Sequence, residues 1–432
     1  MKKAFWAGCV VVVGAAGFAG GTVFTGKLVS TEFERYVAAV TENYQGVANV
    51  SSTVSESLWG SQNTLSIEFL DLSKSVTDWA GTNTIDFDIA YTHSFLSSRS
   101  VLTLSDTQLL QKLKSIQVNS QKAPLIVSSD YQYDFGEGQV SVSGDIELDA
   151  LRFGEDDKLA QVGASKGEYK LTQGAIDLEW KVAPSTIESG EAKVDIGEIT
   201  LKESAQVETG DVLTALVTQR SFGEFAVDSV KFTAENAQLL LKSMVMSLKQ
   251  HIEGERVVLD VDYQAAFLEI DDKRNKVKLE QPQLQLLLDL DLASVVLFVE
   301  KLQQLQMQTG DALQHSDQIV SQLSLIADQG VNADLKRLSV SVDGETLLAD
   351  AKLELSKVSA TASTKNPIDR MDLEAALSVP KKFLEAMPNY NPAQIRMLTG
   401  FGVLVDAGDS YKLEVTVKDA KALLNGQPMP GI

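Results

Sequence analysis

The chain has 432 residues, 38 basic against 59 acidic, for a formal net charge of −21. That balance repels nucleic acid and anionic headgroups, and no basic cluster offsets it locally, so nucleic-acid binding is set aside. With 44 % apolar residues the chain lies far from the disordered range and should bury a large core.

The first element is an uncharged run from Ala4 to Thr25, preceded by Lys2 and Lys3. As a helix rising ~1.5 Å per residue it is long enough to cross a hydrocarbon layer of ~30 Å. The leading lysines predict a cytoplasmic N-terminus with the body on the far side, the periplasm in a double-membrane bacterium. Residues 1–27 are thus expected to be an uncleaved, single-pass inner-membrane anchor, and 28–432 a periplasmic body. A cleaved signal peptide is the main alternative, with Phe5 to Val13 as its apolar region and a cut after Ala19. A lipoprotein would need Cys9, but that thiol comes before any apolar region has formed. A buried core helix fits poorly with two lysines and a start methionine in front of glycine-rich apolar sequence.

Within the run, Gly17 and Gly21 form a G-x-x-x-G, and Ala16 with Gly20 adds a second small pair. That face would let two anchors approach closely as a homodimer. Cys9 is the only cysteine, so the body can form no internal disulfide.

Straight after the run, Leu28 to Tyr44 carries Phe33, Tyr36, Val37 and Val40 at helical spacing. Beyond it one pattern recurs: short stretches alternate an aliphatic residue with Asp, Glu, Ser or Lys. Examples are Ile85 to Ile89, Val140 to Ser143, Ile176 to Trp180, Val194 to Ile196, Leu259 to Tyr263, Leu338 to Val342, Leu353 to Leu355 and Leu413 to Val417. Period two with one apolar face predicts antiparallel strands. Phe135 to Gly138 and Asp343-Gly344 read as turns between them.

Helical spacing interrupts the strands at Ala234 to Gln250 and at Ala293 to Asp328, the latter broken near Thr309-Gly310-Asp311. Pro380 to Met387 and Pro392 to Leu398 each begin with proline in the first turn, where its missing N–H costs nothing. The predicted fold is mainly β (α+β): a large curved antiparallel meander sheet with a few covering helices, preceded by the transmembrane helix. Ala360 to Arg370 is the best linker candidate, and one elongated domain is expected.

Chemistry is harder to find. Gly163-Ala164-Ser165-Lys166-Gly167 matches the G-x-S-x-G elbow of serine hydrolases, but strand-like sequence follows where a helix is required. A lysine-bearing hairpin turn explains it better. His93, His251 and His315 are the only histidines, too far apart in sequence to form a motif. The pairs Asp86 with Asp88, Asp260 with Asp262 and Asp289 with Asp291 read as solvated strand faces, since a calcium loop would need a glycine turn and a distal acid. No catalytic, cofactor-binding or metal-ligating residue is assigned.

Short motifs at both ends resemble the YdgA-like family of proteobacterial proteins of unknown function. They are Thr25-Gly26-Lys27 running into a helix, Tyr91-Thr92-His93-Ser94-Phe95 with Ser97-Ser98 and Val101 to Leu104, and near the C-terminus Leu373 to Pro380 and Leu424-Asn425-Gly426-Gln427-Pro428-Met429. The resemblance implies an inner-membrane-anchored periplasmic protein and carries over no catalytic residue. The expected function is a binding or scaffold protein of the cell envelope, not an enzyme, offering an apolar sheet face to a lipid or an envelope protein. An envelope hydrolase with an unrecognised site is the alternative.

Overall fold

A computed structural model of the chain describes residues 48–429 apart from 57–59, 71–80, 94–96, 106–107, 120, 135–138, 156–157, 173, 207–219, 273–275, 299–322, 359–366 and 388–389. The expected anchor, its pairing face at Ala16, Gly17, Gly20 and Gly21, and the helix at Leu28 to Tyr44 lie outside the described residues. Among those described, no helix is long and apolar enough to cross a membrane. Antiparallel strands dominate, as the alternation predicts. They divide into two compact units, the first made mainly of described residues within 48–187 and 200–206, the second mainly of described residues within 188–199, 220–298 and 323–429. Neither boundary falls at the expected linker, of which Pro367–Arg370 forms a short 3-10 turn.

In the first unit the strands are β1 (Ala48–Glu56), β2 (Gly60–Phe69), β3 (Thr84–His93), β4 (Ser97–Leu104), β5 (Leu125–Asp134) and β6 (Gln139–Leu148). They continue as β7 (Leu151–Glu155), β8 (Lys158–Val162), β9 (Ser165–Thr172), β10 (Ala175–Val182), β11 (Ser185–Ser189) and, after β12 (Ala192–Ile196), β13 (Ile199–Gln206). A meander runs from β1 to β6, then β6 pairs with β9 and β9 with β10.

From β2 to β6 each strand of this meander turns one side inward, and that side is closed to solvent: Leu65, Ile67, Phe87, Ile89, Leu102, Val127 and Ile146 are all at most 2 % exposed. A helix that the sequence pattern does not announce, α1 (Gln108–Ile116), buries Leu109 and Leu110. Close packing is relieved at two glycines. A Cβ at Gly167 would lie 2.5 Å from the Trp180 ring, and one at Gly144 would lie 2.5 Å from the Tyr169 hydroxyl.

The inner face also holds a polar seam. Cross-strand pairing sets Tyr91, Ser100, Ser129, Gly144 and Tyr169 in one row over five strands. The small side chains leave room for the Tyr131 and Tyr169 rings, whose hydroxyls meet those of Ser100 and Ser129. Burial pushes the phenols of Tyr91, Tyr131 and Tyr169 upward, Tyr131 to about 12, so all three stay protonated and neutral.

In the second unit the strands, besides β12, are β14 (Ser221–Ala234), β15 (Ala237–Glu253), β16 (Arg256–Gln264), β17 (Phe267–Asp271), β18 (Lys276–Asp291), β19 (Val331–Val342), β20 (Glu345–Leu355) and β21 (Met371–Pro380). The last are β22 (Val405–Asp406), β23 (Ser410–Lys418), β24 (Lys421–Leu424) and β25 (Gln427–Pro428). Two helices follow β21: α2 (Lys381–Glu385), with Pro380 at its N-cap rather than inside the first turn, and α3 (Pro392–Gly400), with Pro392 at its first position.

One predicted helix is corrected. Ala234 to Gln250 forms the end of β14, a turn and most of the 17-residue strand β15. Ser243 has a positive φ of 50° and goes unpaired with Asp228, and at that point the alternation changes phase. Leu239 and Leu241 on one side of Ser243, and Met244, Met246 and Leu248 on the other, therefore share a face. The three-residue step from Leu241 to Met244 is what imitates helical spacing. The predicted helical stretch Ala293 to Asp328 is helical at 292–298 and 323–328, and the residues between, including its expected break, lie outside the described set.

Candidate functional site

The second unit presents the arrangement with most to say about function: a broad apolar sheet face. Register carries one row across eight strands as Phe225, Met246, Tyr263, Leu284, Leu338, Ala349, Leu377 and Leu413. The next row runs Leu248, Val261, Leu286, Leu335, Ala351, Ala375, Val415 and Leu424. No member of either row is charged. The opposite face of the same strands carries Lys249 paired with Asp260, then Leu287, then Asp334, Lys352 and Glu374 on successive strands.

A second phase change keeps the apolar face whole. Gln281 has a φ of 49°, and the β18–β19 register shifts between Glu280 and Gln283. Leu279 therefore packs with Val342 while Leu284 faces Leu338, two residues on the same side of β19. Within the face, Ala349, Ala351 and Ala375 on neighbouring strands form a shallow furrow bordered by leucines. Phe383 of α2 packs on Val342 and Val379 and closes the face at that end.

What separates this face from the inner face of the first unit is water. Met246 is 44 % exposed, Leu338 39 % and Leu248 37 %, and Leu284, Leu286 and Leu288 are half-buried. Contiguous exposed hydrocarbon of this extent marks a binding surface more often than a bare fold.

The ends of the face are pinned by polar groups that sequence reasoning placed in solvent. Arg256 Nε donates to Asp289 Oδ1 at 2.7 Å, and its two Nη atoms donate to the carbonyls of Asp289 and Gly330. Asn332 donates to Asp289 Oδ2, so Asp289 is a strand clamp rather than a solvated acid. Asp291 caps the helix at 292–298 by accepting from the backbone N–H and hydroxyl of Ser294, which hold its carboxyl below the usual range. Arg370 donates to the carbonyls of Ala327 and Ser356 and pairs with Asp328. The other paired acids fit the solvated reading better: Asp86 accepts from Ser66, and Asp262 from Gln285.

The remaining sequence candidates do not converge on chemistry. Ser165 is no hairpin tip but the first residue of β9, buried between Leu148 and Val182, and its hydroxyl finds no hydrogen-bond partner among the described residues. The glycines of its motif are explained by crowding, at Ala183 for Gly163 and at Trp180 for Gly167. His251 meets Glu253 at the surface. Nothing is described for the His93 side chain or for His315. No group of three His, Cys, Asp or Glu placed to hold a metal occurs among the described residues.

A family model for a bacterial protein of unknown function, DUF945, matches residues 1–431. The chain belongs to that family. No curated protein and no solved structure matches it. The furrow alanines were the signal that sequence reasoning passed over: on the apolar side of one strand Ala349 and Ala351 stand together between Leu347 and Leu353, small side chains where a packed core would carry large ones.

Proposed function

We infer that this protein is an inner-membrane-anchored, periplasmic binding protein of the bacterial envelope whose second unit takes the acyl chains of a lipid. The YdgA-like resemblance at both ends is compatible with membership of DUF945 and supports the envelope setting, as does the lysine-led uncharged run Ala4 to Thr25. The observation that carries the ligand class is the uncharged, half-exposed face of β14–β24. Protein interfaces carry about one hydrogen bond per 100–200 Å². The two central rows offer only aliphatic and aromatic side chains apart from the Tyr263 hydroxyl, which suits hydrocarbon. β18, with 16 residues, gives the face a length of roughly 50 Å along the strands.

The test is direct. Full-length protein purified in mild detergent is extracted and its lipids are read by mass spectrometry, and a photoreactive fatty acid is crosslinked to it. Acyl adducts on β18–β21 peptides are expected, and replacing Leu248 and Leu338 with Asp should remove them without loss of the strand circular dichroism signal. Adducts distributed evenly over the chain, or a protein free of lipid that captures unfolded polypeptide instead, would refute the acyl-chain assignment.

A further inference from the structure

We propose that the helix-turn tip formed by α3 and the residues leading to β22 is a membrane-contact element that dips into a lipid bilayer. No residue of α3 is buried. Met397 is 52 % exposed, Phe401 76 % and Val405 44 %, all between the last turns of α3 and the start of β22. The backbone at Phe401, with a φ of −84°, accepts any residue, so the fold does not require an aromatic side chain there.

The tip is held by polar bonds rather than by burial of its apolar groups. The N–H of Phe401 donates to the Met397 carbonyl, and those of Val403 and Leu404 donate to the Leu398 carbonyl. Asn425, itself fixed by accepting the Glu414 N–H, donates to the carbonyls of Gly402 and Val403 at 2.7 and 3.1 Å. A rigid turn that presents Phe401 outward loses little freedom when it meets a partner.

Charge selects the partner. The molecule carries −21, yet Pro392 to Val405 contains no acid and one base, Arg396. The next acid, Asp406, is neutralised by Lys381 at 2.7 Å. This is a gap in the negative surface through which an anionic headgroup layer can be approached without repulsion, with apolar side chains at its apex. A second copy of the chain offers no matching acid within this element for Arg396.

This inference goes beyond the acyl-chain assignment and is tested separately, since the probe reads the tip and not the furrow. Cys9 is the only cysteine, so a Cys9→Ser chain accepts a single environment-sensitive nitrobenzoxadiazole label at Phe401→Cys, at Val405→Cys, or at Glu255→Cys in the exposed turn between β15 and β16. The full-length labelled protein is reconstituted into vesicles of phosphatidylethanolamine and phosphatidylglycerol, with or without lipid bearing a nitroxide on its acyl chain. Blue-shifted emission and nitroxide quenching are expected at 401 and 405, with neither at 255. Adding Phe401→Asp should return the label at 405 to water-like emission while circular dichroism stays unchanged. Water-like, unquenched emission at 401 in vesicles would overturn the proposal. So would a blue shift without quenching, which, if it grew with protein density, would assign the tip to a second copy.

Discussion

Ser129 on β5 and Tyr169 on β9 share a hydrogen bond although β6 runs between their strands. The ring crosses β6 at Gly144, where a Cβ would lie 2.1 Å from the Ser128 carbonyl oxygen and 2.5 Å from the Tyr169 hydroxyl. Gly144→Val should expel the ring and cost about 3 kcal/mol, the upper end for an overpacked core. Tyr169→Phe keeps the packing and loses only the bond, about 1 kcal/mol. Urea unfolding of the two variants measures both, and equal losses would mean that Gly144 is not what seats the ring.

Ser165→Ala should leave stability unchanged or raise it by up to ~1 kcal/mol, because it removes a buried hydroxyl without a described partner. The same variant tests the elbow motif. Loss of a cellular role in a protein of unaltered melting temperature would restore the nucleophile that the strand context of β9 argues against.

Asp291→Ala should cost about 1 kcal/mol, the ordinary value of a helix N-cap. The Ser294 hydroxyl lowers the carboxyl's pKa in the folded state. Its contribution is therefore complete above the usual Asp range near ~4 and fades as pH falls through the lowered folded value. The stability gap between parent and variant, followed by chemical unfolding, should hold from neutral pH to mildly acidic pH and close only in stronger acid.

Glu203 on β13 behaves with the opposite sign. Burial raises its carboxyl in the folded state, so its protonated form is the favoured one and stability is lost as pH rises through the raised value. Glu203→Gln should raise the melting temperature at neutral pH, with the advantage disappearing near ~4, the range of a free Glu. A variant less stable than the parent at neutral pH would show that the carboxylate has a charged partner.

For the N-terminal run, a reporter fused after Ile432 should be active only outside the cytoplasm, and the chain should resist alkaline extraction from membranes. A soluble mature form starting at Gly20 would show a signal peptide instead. If the anchors pair, a disulfide crosslink through Cys9 should form in native membranes and vanish when Gly17 and Gly21 become leucine, since bulky side chains keep the helices apart.

The strand content was legible in the sequence because the pattern is local: Ile85 to Ile89 or Leu413 to Val417 needs no distant partner to show which side is apolar. Tertiary structure decided the rest. Whether Leu239 to Leu248 is helix or strand depends on Ser243, where a positive φ shifts the phase so that two short alternations add up to one face. Asp289 looked solvated because its partner, Arg256, lies 33 residues away in sequence, on the neighbouring strand. Alternation likewise predicts an apolar side in both units and is silent on its cover. Only packing closed the side of Leu102 and Val127 completely while leaving that of Met246 and Leu338 half in water, because burial is a property of what lies opposite a strand and not of the strand itself.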